Sequence, residues 1–123
     1  MRKVNIGTSK YTEVFAIDEL EFNANHKYHV NSKEKETIGS EFHYPNFADI
    51  RFQKGPIKEN KVNGCHHEDL IAIVIDRLQS FQQTGYKCRE NAVAITKLEE
   101  AMMWLDKRTQ DRLNRGVEGT HNK

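Results

Sequence analysis

The spacing of apolar residues changes partway along this 123-residue chain. Up to about residue 53 it has a period of two. In "HKYHVN" (26–31) Tyr28 and Val30 alternate with polar side chains. "FADIRFQ" (47–53) sets Phe47, Asp49, Arg51 and Gln53 on one face and Ala48, Ile50 and Phe52 on the other. Alternation of this kind marks strands half buried against a core. The intervening "SKEKETIGSEFHYP" is charged and turn-rich, so the three pieces read as a hairpin with an elaborated loop. Upstream, "YTEVFAIDELEF" fits neither period cleanly and reads as a strand or as one short helix.

From residue 66 the period lengthens. Leu70, Val74, Leu78 and Phe81 recur at helical spacing with Ile71 and Ile75 beside them, predicting a helix over 66–83. Ala94, Leu98, Ala101 and Leu105, widened by Ile95 and Met102 and continued by Leu113, predict a second over 89–115. "QKGPIKENKVNGC" (53–65) reads as a linker that closes on an Asn63-Gly64 turn. Glu68 and Asp69 then fall in the first helical turn, where the dipole favours anions. Gly116 is a natural stop after Lys107, Arg108, Arg112 and Arg115, and the tail "GVEGTHNK" is predicted to be extended.

A connection of about six residues forces the two helices into an antiparallel hairpin. The fold class is therefore α+β: a small N-terminal antiparallel β-sheet (1–55) followed by a long antiparallel two-helix hairpin (56–123). The sheet can cover only part of the hairpin's apolar width. Met102, Met103 and Trp104 are consecutive and point in three directions, so more than one face is predicted to be buried. A homo-oligomer follows, with the second helix as its main contact.

Composition narrows the partners. Hydrophobic residues are 37% and charged residues 30%, with 19 basic against 18 acidic side chains. A long nucleic acid usually calls for a basic excess, so it is not the expected partner; a small anion held by local cations fits. Cys65 and Cys88 form no CxxC pair and read as reduced thiols. The start "MRKVNIGTSKYTE" lacks the apolar run of a signal peptide, and no stretch has the length of a membrane span. The expectation is a soluble intracellular protein with no cofactor or metal.

Two stretches carry candidate chemistry. "GCHHED" (64–69) holds a thiol, two imidazoles and two carboxylates, but adjacent His66 and His67 diverge by about a quarter turn on a helix. A solvated helix start is favoured over zinc. The second stretch is the corner "SFQQTGYKCREN" (80–91), with rings, amides and cations where a connector needs only Gly, Asn, Asp or Ser. Phe81 either caps the core or offers a face to a base. Asn91 either helps start the second helix or offers its amide to adenine's donor–acceptor edge. Lys87 and Arg89 are solvated cations or phosphate contacts at the helix start.

Arg108 and Arg112 share a face near the far end, where the helix dipole alone explains them. Asn91 and Arg108 lie about 25 Å apart along a straight helix. One small ligand reaches both only if a second chain lies antiparallel and brings its Arg108 over the first chain's corner. A purine would then sit between Phe81 and Arg108.

"FQKGPIKENKVNGCHHEDLIAIVIDRLQSFQ" followed by "CRENAVAITKLEEAMMWLDKRTQDRLNRGVEGT" resembles the helical-hairpin domain of small phage proteins, the type 1 Thoeris anti-defence sponges and the related anti-CBASS sponges. The likeness spans residues 52–120 in ordered blocks, among them FQ-GPIKE, VNG, CRENA, TKLEEA and RGVEGT. The N-terminal hairpin points to the anti-Thoeris branch. The resemblance implies a non-enzymatic sponge in the host bacterial cytoplasm. Such a protein binds a cyclic ADP-ribose isomer made by a TIR-domain enzyme (glycocyclic ADP-ribose) and releases it unchanged. It implies ligand contacts from Phe81 and Asn91, with Arg108 contributed across a dimer. Some relatives form hexamers with separate pockets for cyclic oligonucleotides; the candidate segment here is Arg115, Gly116, Gly119 and Thr120. The unusual "CHHED" and "YKC" and a long sheet connector depart from the pattern, and Arg51 and Lys58 are candidates for reaching a pyrophosphate. The alternatives are a cyclic-oligonucleotide sponge, a hydrolase of the signal, or a helical interaction module with no small ligand.

Overall fold

The computed structural model describes residues 1–7 and 10–123. They fall into two compact units, Met1–Gly55 with Val62–Gly64, and Pro56–Lys61 with Cys65–Lys123.

The first unit is a four-stranded antiparallel sheet of β1 (Arg2–Lys3), β2 (Thr12–Ala16), β3 (Lys27–Ser32) and β6 (Asn46–Arg51), in that spatial order. The ambiguous upstream segment is thus a strand. Residues opposite one another in the ladder share a face, so the register sorts the side chains. Val14, Ala16, Tyr28, Val30, Ala48 and Ile50 form the apolar face. Phe52, just beyond β6, meets Tyr28 edge-on at 5.7 Å. Glu13, Phe15, His29, Lys27, Asp49 and Arg51 take the other face. The connector between β3 and β6 folds into its own hairpin, β4 (Glu36–Ile38) with β5 (Glu41–His43).

Between β2 and β3 the chain makes a tight turn. Glu21 and Ala24 exchange backbone hydrogen bonds of 3.0 and 3.1 Å, and the two central residues, Phe22 and Asn23, both have positive φ. That geometry matches the twist of the flanking chain, but it suits Asn or Gly far better than Phe. Asp18 staples the same loop: its carboxylate accepts from the backbone N–H of His26 at 3.0 Å and of Lys27 at 3.2 Å. Burial works against the Asp18 charge, yet these bonds and one from Asn25 outweigh it and hold the carboxyl below its ordinary value.

The second unit contains α1 (Ile57–Asn60), α2 (His67–Gln82) and α3 (Arg89–Asn114). The predicted linker therefore holds one helical turn, started by the pre-set φ of Pro56. Asp69 reaches back to the His66 N–H at 2.8 Å, the acidic half of a capping box, so His66 belongs to a helix start. At the other end Gly116 has φ 73°, with Gly116 and Val117 donating to Leu113 and Arg112 at 3.0 Å. This pair of bonds is a Schellman stop, and only glycine takes its left-handed position without strain.

The tail is not extended. It folds back in turns, with the Arg112 guanidinium donating to the carbonyls of Val117 at 2.9 Å and Thr120 at 3.1 Å. Lys58 N–H reaches Gly119 O at 3.1 Å, and His121 pairs with Glu59 at 3.1 Å. A run of small and polar residues gives no periodic signal, while its carbonyls are good acceptors for a cation one turn back.

Burial is thin throughout. Among the described residues Ala16 is the only buried apolar side chain, and no residue of α2 or α3 is buried. The half-buried stripe of α2 is Ile71, Ile75, Leu78 and Gln82, which faces the half-buried stripe of α3 from Asn91 through Ile95, Leu98 and Leu105. Val74 and Phe81, which share the apolar stripe by spacing, lie on its exposed side. The apolar arc is wider than one partner helix covers, and spacing cannot tell its two edges apart.

Candidate functional site

The corner between α2 and α3 is ordered by its amides and hydroxyls. Gln82, the last residue of α2, donates its amide to Cys88 O and accepts from Cys88 N–H, both at 3.0 Å. Cys88 precedes α3, so this two-way bond fixes where the second helix begins. Thr84 donates its hydroxyl to Phe81 O at 2.8 Å and accepts from the Tyr86 N–H at 3.2 Å. The chain therefore reverses on side-chain bonds, and the polar excess of "SFQQTGYKCREN" is partly structural.

Phe81 stands one residue before that clamp. Its ring is 36% exposed, and the Arg77 guanidinium lies over it at 5.1 Å. Arg77 is four residues earlier on the same helix, a spacing that was readable as a cation–π pair. Asn91 opens α3 at the same end of the hairpin and is half-buried. Among the described residues no hydrogen bond engages its side-chain amide. Arg89 is exposed beside it. One end of the hairpin thus offers a ring, a free amide and two guanidiniums.

The other predicted residues lie elsewhere. Arg108 is exposed four residues beyond Trp104, which is itself 70% exposed. These two stand on one stripe of α3 with Val93, away from the stripe that faces α2. Arg112 is half-buried and holds the tail. Arg115 donates to Lys123 O, Thr120 donates to Val117 O, and Gly119 accepts from Lys58. The RGVEGT segment is therefore a folded cap with its polar groups largely engaged. Lys58 belongs to this cap and Arg51 to the sheet. Among the described residues no group of three or more His, Cys, Asp or Glu is placed to hold a metal ion, and no helix is long and apolar enough to cross a membrane.

An antiparallel N-terminal sheet followed by an exposed two-helix hairpin defines an α+β helical-hairpin protein. The chain belongs to the Acb2/Tad1 hairpin family. The profile of the Acb2/Tad1 hairpin domain matches residues 45–110, from the last strand to the latter part of α3. Across almost its full length the chain is also similar to Thoeris anti-defense 1 of Bacillus phage SBSphiJ7. The two are 46% identical over 132 aligned residues, covering 94% of this chain and 93% of that protein.

Proposed function

We propose that this chain is a phage sponge that binds and sequesters a cyclic ADP-ribose isomer, the glycocyclic signal of a TIR-domain enzyme, without degrading it. Bacterial Thoeris immunity is thereby inhibited. The observation that carries this reading is the likeness to Thoeris anti-defense 1, which spans the corner and both ends of the hairpin. The corner fits the role: Phe81 supplies a face for a purine, Asn91 a donor–acceptor amide, and Arg89 a cation for phosphate.

The working form is a homo-oligomer. Val74, Val93, Met103 and Trp104 are exposed on a hairpin with no buried residue, more apolar surface than an isolated helix pair normally shows water. An antiparallel second copy covers that surface and carries its own Arg108 and Arg112 to the first copy's corner. Enclosure from both sides is what tight capture of a small ligand requires. A sponge that competes with an effector needs nanomolar binding, about 12 kcal/mol.

The test is to incubate the protein with the signal, remove free ligand, denature with heat and analyse the released molecule. Intact signal is the expected result. An altered product identifies a hydrolase, and no release overturns the sponge. Binding of cyclic oligonucleotides by the Arg115–Thr120 cap is a second reading, implied by the resemblance of the RGVEGT block to the sponge domain. It is checked in the same assay with a cyclic oligonucleotide as probe.

A further inference from the structure

On the polar face of the sheet, His29 and Asp49 are directly opposed on β3 and β6, with the imidazole Nε2 3.1 Å from the carboxylate. The next pair on that face, Lys27 opposite Arg51, carries two like charges. Like charges at directly opposed positions repel and weaken a ladder. Among the described residues neither side chain has a carboxylate partner. A sheet that tolerates such a pair gains from an anion placed between them.

The same two residues line a notch of about 260 Å³, together with His26, Phe52, Lys54 and Asn63. All six lie in the sheet unit. Its walls are fixed. Asn63 accepts from Lys54 N–H and donates to Lys54 O, both at 2.8 Å. Gly64 presses on the end of β6 so closely that a Cβ there would sit 2.4 Å from the Phe52 carbonyl carbon. His26, 7% exposed, is held against Glu21 O at 2.6 Å. Lys54 is bonded to Glu21 at 3.0 Å, and the Asp18 carboxylate is engaged by backbone N–H groups, so neither acid neutralises the Lys27–Arg51 pair directly.

The geometry points to a phosphate-binding notch in the sheet unit, in which Arg51 and Lys27 grip a phosphoryl or diphosphate group and Lys54 adds charge at the rim. A guanidinium offers a planar fork of donors and an ammonium a compact point charge, a combination that suits the several oxygens of a phosphate. The phosphate can belong to a free metabolite or to a cyclic nucleotide. The notch stands independently of the corner.

Inorganic pyrophosphate is the probe, titrated into the full-length protein with amide chemical-shift mapping and calorimetry. Shifts are expected to cluster at Lys27, Arg51, Lys54 and Asn63 and to shrink as salt is raised. Arg51→Glu and the milder Arg51→Gln should each weaken binding by about tenfold or more, the scale of one charge-assisted contact. Phe81→Ala should leave pyrophosphate binding intact, which separates this site from the corner. Shifts scattered over surface lysines, equal shifts with acetate, or unchanged affinity in both Arg51 variants would overturn the proposal. Competition between pyrophosphate and the cyclic nucleotide assigns the phosphate to the signal; independent binding assigns it to another metabolite.

Discussion

Gln82 holds Cys88 by both ends of its amide, one bond in each direction and each 3.0 Å long. A single side chain thereby joins the last turn of α2 to the start of α3. Replacing it with alanine removes two hydrogen bonds worth about 0.5–1.5 kcal/mol each. Gln82→Ala should lower thermal stability by about 1–3 kcal/mol. An unchanged melting curve would show that the corner closes without it.

Phe81 and Asn91 contrast with Gln82, since the ring is partly exposed and the amide is free of internal bonds. Phe81→Ala and Asn91→Ala should abolish capture of the cyclic nucleotide while melting within about 1 kcal/mol of the parent. Calorimetric titration alongside thermal unfolding separates the two effects. Retained binding in both variants would remove the corner from the site.

The single tryptophan, Trp104, is a built-in reporter of assembly. At 70% exposure in the isolated chain, it should emit at long wavelength when the protein is dilute. Packing against a second copy should shift the emission to the blue as concentration rises. Trp104→Glu places a charge in the apolar stripe and should move sedimentation toward the monomer. Emission that stays red at every concentration would exclude this stripe from the interface.

Asp18 gives the sheet an acid-sensitive loop. Its folded-state carboxyl titrates below the ordinary 3.8, so its contribution is fully present above the unfolded value of about 3.9 and is lost as pH falls through the folded value. The parent should therefore lose stability below about pH 4 more steeply than Asp18→Asn. Parallel slopes in urea unfolding at pH 5 and pH 3 would count against the staple.

Phe22 sits at φ 48° in a two-residue turn, a region that costs an ordinary side chain about 1–2 kcal/mol. Phe22→Asn should stabilise the sheet unit by up to about 1 kcal/mol, read from the urea midpoint. Gly64→Ala should act oppositely, because overpacking against backbone costs about 1–3 kcal/mol.

These contrasts show what the amino-acid pattern carried. Strict alternation in "HKYHVN" and "FADIRFQ" located β3 and β6 and their faces, and helical spacing located α2 and α3 within about a residue of their ends. Where the signal was local, it read true. The tail departs from the extended form its composition predicts because Arg112 bonds carbonyls five and eight residues on, which no period records. α1 was missed because a single turn is too short for an apolar stripe. Val74 and Phe81 share the helical stripe yet lie on its exposed side, because a wide apolar arc has two edges and only packing decides which one is covered. At the corner, residue types point to a candidate site, while Arg77 over Phe81 and the clamping role of Gln82 come only from the folded chain. The Lys27–Arg51 opposition was out of reach for the same reason, since the partners are twenty-four positions apart and only the ladder aligns them.

Arg112 shows what a folded tail is good for. One terminal nitrogen of its guanidinium already serves Val117 and Thr120, which tethers the group and leaves its remaining N–H donors for a further acceptor. A cation held in this way surrenders little rotational freedom when an anion arrives, whereas a variant truncated after Gly116 would have to arrest a swinging side chain at every encounter. The last turns of the chain act as a splint, converting a flexible charge into a fixed one.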